Sequence, residues 1–273
     1  MRLRVKHVTG YRYGSEVMSS FNEARVFPVT TIGQLTLSSA LTIRPDAVQQ
    51  RYWDYWGTQV TAFDVHVPHT SLEVSCTSVV DTSAPIAPGD ASWEDLRAVA
   101  DTHVELLRPS PRTRTDADLD AIAAAATGSP YEVVLGLAAL VKEKVAYVPG
   151  STGVATSAVE AFHLGQGVCQ DIAHVTLALL RAKGVPARYV SGYLHPSKEP
   201  VVGETVAGES HAWVEVWLGD WWAYDPTNGV PVGERHVVVA RGRDYTDVPP
   251  LKGVYAGGGS QSLEVSVEVT RLS

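Results

Sequence analysis

Cys76 and Cys169 are the only thiols in the chain, and Cys169 stands where a nucleophile is expected. It lies in GQGVCQDIAH, behind Gly165 and Gly167, at the first residue of a stretch with helical character. A sulfur at a helix start sits in the positive field of the helix's unpaired N–H groups, which favours thiolate over thiol. The same N–H groups can donate to an oxyanion during acyl transfer, and the glycines let a ligand approach the backbone closely. Taken alone, the stretch reads first as a packed thiol behind a tight turn. Cys76 alternates with Val74 along SLEVSCTSVV and reads as a structural thiol within a strand.

A thiol nucleophile needs a base, and the base needs a group that fixes its tautomer. His211 opens HAWVEVWL, and Asp225 ends WWAYDP after the Gly219–Asp220 turn. If these segments pair as a hairpin, His211 lies 8 residues before Gly219 and Asp225 lies 5 after Asp220, at comparable depths. Pro226 favours an extended Asp225. His163 and His174 lie 6 residues before and 5 after Cys169. Neither spacing repeats on one helical face and no HExxH pair occurs, so a metal site is disfavoured. His7, His66, His69, His103, His195 and His236 read as surface or buried structural groups. Asp171 reads as a carboxylate matched to the helix dipole. GQG lacks the GK[ST] ending of a phosphate loop, which disfavours nucleotide binding.

Residues 1–84 read as β: RLRVKHV, QLTLSSALTI, QVTAFDVHV and SLEVSCTSVV alternate apolar and polar positions between turn clusters, the pattern of an antiparallel sandwich. After the APIAPGDAS link, residues 85–273 turn helical. Ser92 can cap a helix carrying an apolar stripe through Leu107, and Ser129 with Pro130 opens SPYEVVLGLAALVKEK. Ser157 and Glu160 make a capping box, and a helix from Cys169 stops at Gly184 before Pro186. The aromatic, β-branched segments ARYVSGYL, HAWVEVWL and WWAYDP then read as strands, and SLEVSVEVT alternates strictly. The second region is therefore α+β, with helices first and an antiparallel sheet after.

The formal net charge of -8 makes nucleic acid an unsuitable partner. MRLRVKHVTGYRYG lacks the continuous apolar run of a secretory leader, no run spans a bilayer, and the two cysteines suggest no disulfide framework. A cytoplasmic location fits, with no membrane and no nucleic acid as partner. Oligomeric state is not legible.

GVCQD, then GVPARYVSGYL, SHAWVEVWL and WWAYDPTNG, together resemble the transglutaminase-like superfamily, in a bacterial branch labelled cysteine proteases. HVVVARGRDYTDVPPLKGVYAG resembles the same branch, and HVTGYRY, YWDYWGTQV and VPHTSLEV resemble the β-rich region that precedes it. One departure is WGT at 56–58, where relatives more often carry an aromatic–Gly–Asn turn. The resemblance implies a papain-like core of helices on an antiparallel sheet, with Cys169, His211 and Asp225 as catalytic residues. It implies thioester chemistry on peptide or protein substrates that carry a carboxamide or peptide bond, without metal or cofactor. Hydrolysis is favoured slightly over amine transfer, because excluding water is the harder property to build. Gln166 and Gln170 are open choices for the second oxyanion donor. The alternatives are a non-catalytic peptide-binding module that keeps the cleft, and a small-molecule amidase. Trp53, Tyr55 and Trp56 read as interdomain packing ahead of a substrate platform.

Overall fold

A computed structural model of the protein describes residues 1–273. Two antiparallel sheets stand side by side, with helices against the second, so the α+β class holds.

The first sheet has eight strands and is organised by one long strand, Arg2–Ala24. Along its first half, alternate residues Leu3, Val5, His7 and Thr9 face inward, while Arg2, Arg4 and Lys6 face solvent. That period of two leaves one covered and one wet face. This half pairs with His69–Thr82 on one side and with Gln261–Arg271 on the other. After a register shift between Arg12 and Val17, the second half pairs with Gln59–Val65 and Leu251–Gly257. One strand thus serves two sets of neighbours, and the sheet curls over a small core that includes Phe27, Phe63, Leu72 and Val74. Cys76 belongs to that core, and burial pushes its thiol up to about 11, as a structural thiol requires.

Leu251–Gly257 and Gln261–Arg271 come from the far end of the chain. The first sheet is therefore completed by residues that a division near residue 84 assigns to the second region. Strict alternation in SLEVSVEVT specifies a half-covered strand but not its partner, because sheet pairing is non-local.

The second sheet has five strands, in the order Val230–Pro231, Trp221–Asp225, Glu209–Trp217, Ala187–Leu194 and His236–Gly242. The helix Cys169–Ala182 packs on Glu209–Trp217 and Ala187–Leu194. Around it lie the helices Ala117–Ala125, Pro130–Lys144 and Ala158–Leu164. Every residue from Gln170 to Arg181 is buried, as expected for a helix covered on all sides. Leu3, Val5, Val80, Val267 and Val269 of the first sheet share one apolar cluster with this helix and the second sheet. The two sheets are thereby joined through a common core.

Ser92, Ser129 and Ser157 each cap a helix, with the carboxylate three residues on closing the capping box. The helix expected from Ser92 through Leu107 is instead two short ones, Trp93–Ala98 and Val104–Leu107. Between them His103 sets its ring against Trp217 and Trp221 of the second sheet, a tertiary contact that overrides the local stripe.

Gly192 pairs with His211 across the sheet, and a Cβ there would lie 2.1 Å from the Val237 carbonyl oxygen and 2.5 Å from the Trp213 ring. Gly192→Ala is expected to destabilise the fold by about 1–3 kcal/mol and to slow alkylation of Cys169 by displacing His211. A urea titration and a labelling time course measure the two effects.

Candidate active site

Cys169 occupies the first turn of its helix, and the preceding chain is fixed from two directions. Gly165 takes a left-handed conformation (φ 67°) that ends the helix Ala158–Leu164, a role suited to glycine. Gln166 and Gly167 then pair in parallel with Ala146 and Tyr147. Val168, the N-cap, has no side chain able to cap; the Asp171 carboxylate accepts its N–H at 2.8 Å and also the Thr152 hydroxyl. Gly167 is required here, since a Cβ would come within 2.7 Å of the Asp171 side chain. Asp171 is buried and its carboxyl is raised by desolvation. The N–H groups of Asp171 and Ile172 turn back to the Val168 carbonyl. The N–H groups of Cys169 and Gln170 are left as the free donors of the first turn.

His211 and Asp225 come from strands that pair as a hairpin, with Val214 opposite Tyr224 and Trp217 opposite Trp221. Continuing that register sets Asp225 opposite Trp213, and His211, two residues on, shares its face. The His211 Nε2 donates to Asp225 Oδ2 at 2.8 Å. Its Nδ1 is buried without a hydrogen-bond partner and is the nitrogen left for Cys169. Burial alone would lower the His211 pKa, but the Asp225 carboxylate and the adjacent Cys169 raise it to about 10, so the ring is held as imidazolium at neutral pH. Asp225 is fully buried; desolvation would raise its carboxyl, but the hydrogen bonds from His211, His236 and Asn228 hold it far below the ordinary carboxylate range.

Two partners of Asp225 escape a reading of the sequence. Asn228 donates its Nδ2 to Oδ2 at 2.7 Å and its backbone N–H to Oδ1 at 3.0 Å. The signal was present in DPTN, where an Asp followed by Pro and Asn favours a turn bonded to its own side chain. His236, expected to be a structural or surface group, donates Nε2 to the same Oδ2 at 3.1 Å. Its Nδ1 accepts the Gly233 N–H at 3.4 Å, which fixes the neutral tautomer, and burial lowers its pKa. No local pattern marks His236, because it reaches Asp225 from the edge strand His236–Gly242. His211, Asp225 and His236 offer three ligand atoms within 4.8 Å of one another, a spacing that could hold a metal ion. Here each of those ring nitrogens is already engaged by the carboxylate.

His163 and His174 do not join Cys169. His163 is half-exposed and bonds Asp116 at 2.6 Å, while buried His174 accepts the Tyr245 N–H at 3.2 Å. Trp53 and Tyr55 are exposed, Tyr55 donating to Glu105, and Trp56 lies beneath the Arg243 guanidinium. In the WGT turn, Asp54 accepts the N–H groups of Trp56 and Thr58. Gln170 lines the cleft beside Cys169, whereas Gln166 belongs to the short parallel pair.

Cys169 and His211 open into a cavity of about 330 Å3. His7 of the first sheet is among its walls and bonds Tyr193 Oη at 2.9 Å and Thr9 Oγ1 at 2.7 Å. Burial pushes His7 down to about 4 and His174 down to about 3, so both rings are neutral in the native protein. An unfolded histidine titrates near 6.5. As pH falls below that value the unfolded chain binds protons the native state does not, and stability declines until the folded pKa is passed. For His7 the loss is on the order of 3 kcal/mol by pH 4, and His174 adds to it. A urea midpoint that falls from pH 6.5 to 4, and falls less steeply in His7→Gln, is the expected result.

Residues 119–226 match the family model described as the transglutaminase-like superfamily, and residues 3–81 match the bacterial transglutaminase-like N-terminal region. An uncharacterized protein of Mycobacterium leprae (strain TN) is 47% identical over 277 residues, spanning 100% of this chain and 99% of the relative. An uncharacterized protein of Mycobacterium tuberculosis (strain ATCC 25618 / H37Rv) is 34% identical over 292 residues, spanning 98% and 92%. The crystal structure of a "Putative Cysteine Protease" from Cytophaga hutchinsonii is similar with a TM-score of 0.80 at 25% identity, covering 100% of this chain and 91% of that one. With both family models matched and the fold shared over its full length, the chain belongs to the transglutaminase-like superfamily, a family of cysteine-dependent enzymes, and has that superfamily's bacterial N-terminal region.

Proposed function

We propose that the protein is a cysteine-dependent acyl-transfer enzyme that cleaves or transfers amide bonds of peptides or proteins through a thioester on Cys169. The observation that supports this most is the state of His211. One nitrogen is held by a buried carboxylate at 2.8 Å, the other has no such partner, and Cys169 adjoins the ring from a helix start.

In this reading the Cys169 thiolate attacks the carbonyl carbon, and the oxyanion is met by the free N–H groups of Cys169 and Gln170. His211, as imidazolium, gives its Nδ1 proton to the leaving amine, and the C–N bond breaks to leave the thioester. Neutral His211 then takes a proton from water or from an acceptor amine, which attacks the thioester and releases the acyl group. Asp225 fixes the ring's tautomer and stabilises its charged form throughout.

Incubation with a peptide library and a labelled primary amine, for wild type and Cys169→Ala, tests the proposal. New peptide termini indicate hydrolysis, and amine incorporation indicates transfer; both should vanish in the variant. Unchanged peptides that still bind the protein would favour a binding module instead.

A further inference from the structure

The inward face of the first sheet does not end at the common core. Leu3 and Val5 on the first strand, with Val267 and Val269 on the last, are buried against the catalytic domain. One step along, the last strand's side of that face passes into open space, while His7 and Thr9 opposite it stay buried. His7 pairs with Val267, Thr9 with Val265 and Tyr11 with Leu263, so the side chains of each pair project to one side. Exposure rises from 7% at Val267 to 48% at Val265 and 56% at Leu263. Tyr11, Leu263 and Val265 line the cavity that holds Cys169 and His211, together with Leu251 of the first sheet and Tyr189 and Tyr245 from the catalytic region. An apolar shelf that continues a core face and then lies bare beside a reactive sulfur requires an apolar occupant.

The rest of the lining limits that occupant. No Asp, Glu, Lys or Arg side chain borders the cavity, and its one charged ring, His211, is already paired with Asp225 and committed to Cys169, so a further charged group entering it would lose water without gaining a free partner. The neutral His7 ring has both nitrogens occupied by Tyr193 and Thr9 and offers no compensating charge. A volume of about 330 Å3 is at the small end for ligand cavities, room for one or two residues. The acyl group remains bonded to the sulfur through both half-reactions, whereas the amine must leave and an acceptor must enter. The apolar wall beside the sulfur therefore suits the acyl side.

Resting on the reading of Cys169 as nucleophile, we infer that Thr9, Tyr11, Leu263 and Val265 form the subsite for the acyl residue and select donors with an uncharged, apolar side chain of leucine to phenylalanine size. Specificity then comes from the β-rich sheet, while the bond-making groups come from the α+β region.

Four N-acetyl aminoacyl chloromethyl ketones, of Leu, Phe, Glu and Lys, test this on the full-length protein. Each alkylates Cys169 with loss of chloride, and intact-protein mass gives the rate. The Leu and Phe reagents should react at least about tenfold faster than the Glu and Lys ones, the usual worth of an apolar contact against a buried charge. Leu263→Lys, a change at a half-exposed site that the fold tolerates, should slow the Leu reagent and speed the Glu reagent. Equal rates across the four, or a ranking that Leu263→Lys leaves unchanged, overturns the subsite. Iodoacetamide, which has no acyl residue, separates the two readings. Fast iodoacetamide labelling with a flat ranking removes the subsite alone. Slow labelling with the Leu and Phe preference retained upholds the subsite and removes the nucleophile reading.

Discussion

Cys169→Ala is expected to lower amide cleavage or transfer by at least about 10⁴-fold, the usual loss when a nucleophile is removed from a unit of cooperating groups. Such losses are not additive, so adding His211→Ala to Cys169→Ala should cost little more. The fold should survive, because Cys169 only borders the core and Ala is a good helix former at that position. The thiol should also show its environment without any substrate. At pH 6 iodoacetamide should modify Cys169 at least about tenfold faster than a model thiol, since a free thiol is barely ionised there. His211→Ala should remove that advantage. If wild-type Cys169 labels no faster than the model thiol, the ion pair is absent and the mechanism fails with it.

Asp225→Asn should have the second largest effect, and it acts on two quantities at once. For activity, the His211 ring loses the carboxylate that holds its tautomer and charge, and a fall of about 10²- to 10⁴-fold is expected. The alkaline limit of the rate should also move to lower pH, because the same carboxylate is what raises the His211 pKa. For stability, an amide at this position can no longer accept from His211, Asn228 and His236 together, although wild-type Oδ2 meets all three. Leaving even one such buried donor unpaired costs about 1–3 kcal/mol. The sign with pH follows from the depressed Asp225 pKa. Its contribution is present above the unfolded carboxylate value, near 3.9, and is lost as pH falls below it. On the acid side the stability gap between wild type and Asp225→Asn should therefore hold from pH 7 to about pH 4 and shrink below it; on the alkaline side it should shrink as pH rises toward 10, where His211 loses the proton that the carboxylate holds. A gap that stays constant from pH 7 down to pH 3 would assign the acid-side effect to a group other than the Asp225 carboxylate.

Asp225 also shows how far the proposed mechanism depends on groups outside the three residues in the motif blocks. Its charge is shared between an imidazolium that faces the cleft and a neutral ring that faces away from it. The neutral His236 and the Asn228 amide keep the carboxylate ionised in a site with no access to water. They do so without adding charge that would compete with His211.

Local chemistry was enough to read a good part of this protein from residue types alone. Ser129, Ser157 and the helix beginning at Cys169 follow from capping, propensity and periodicity, which act within a few residues. The hairpin that joins His211 to Asp225 follows from two adjacent aromatic, β-branched runs around a Gly–Asp turn. Cys169, His211 and Asp225 were legible for that reason: each sits at an element end that the sequence itself marks. Only the tertiary structure could decide the non-local pairings. Gln261–Arg271 finds its partner at the opposite end of the chain, and that pairing brings Leu263 and Val265 beside Tyr11 and Thr9. His236 reaches Asp225 from an edge strand, and His103 breaks its helix to meet two tryptophans. An alternating strand specifies which face is covered but carries no record of what covers it. The juxtaposition of Cys169, His211 and Asp225 was therefore readable in one dimension, whereas the walls of their cleft exist only once distant strands have paired.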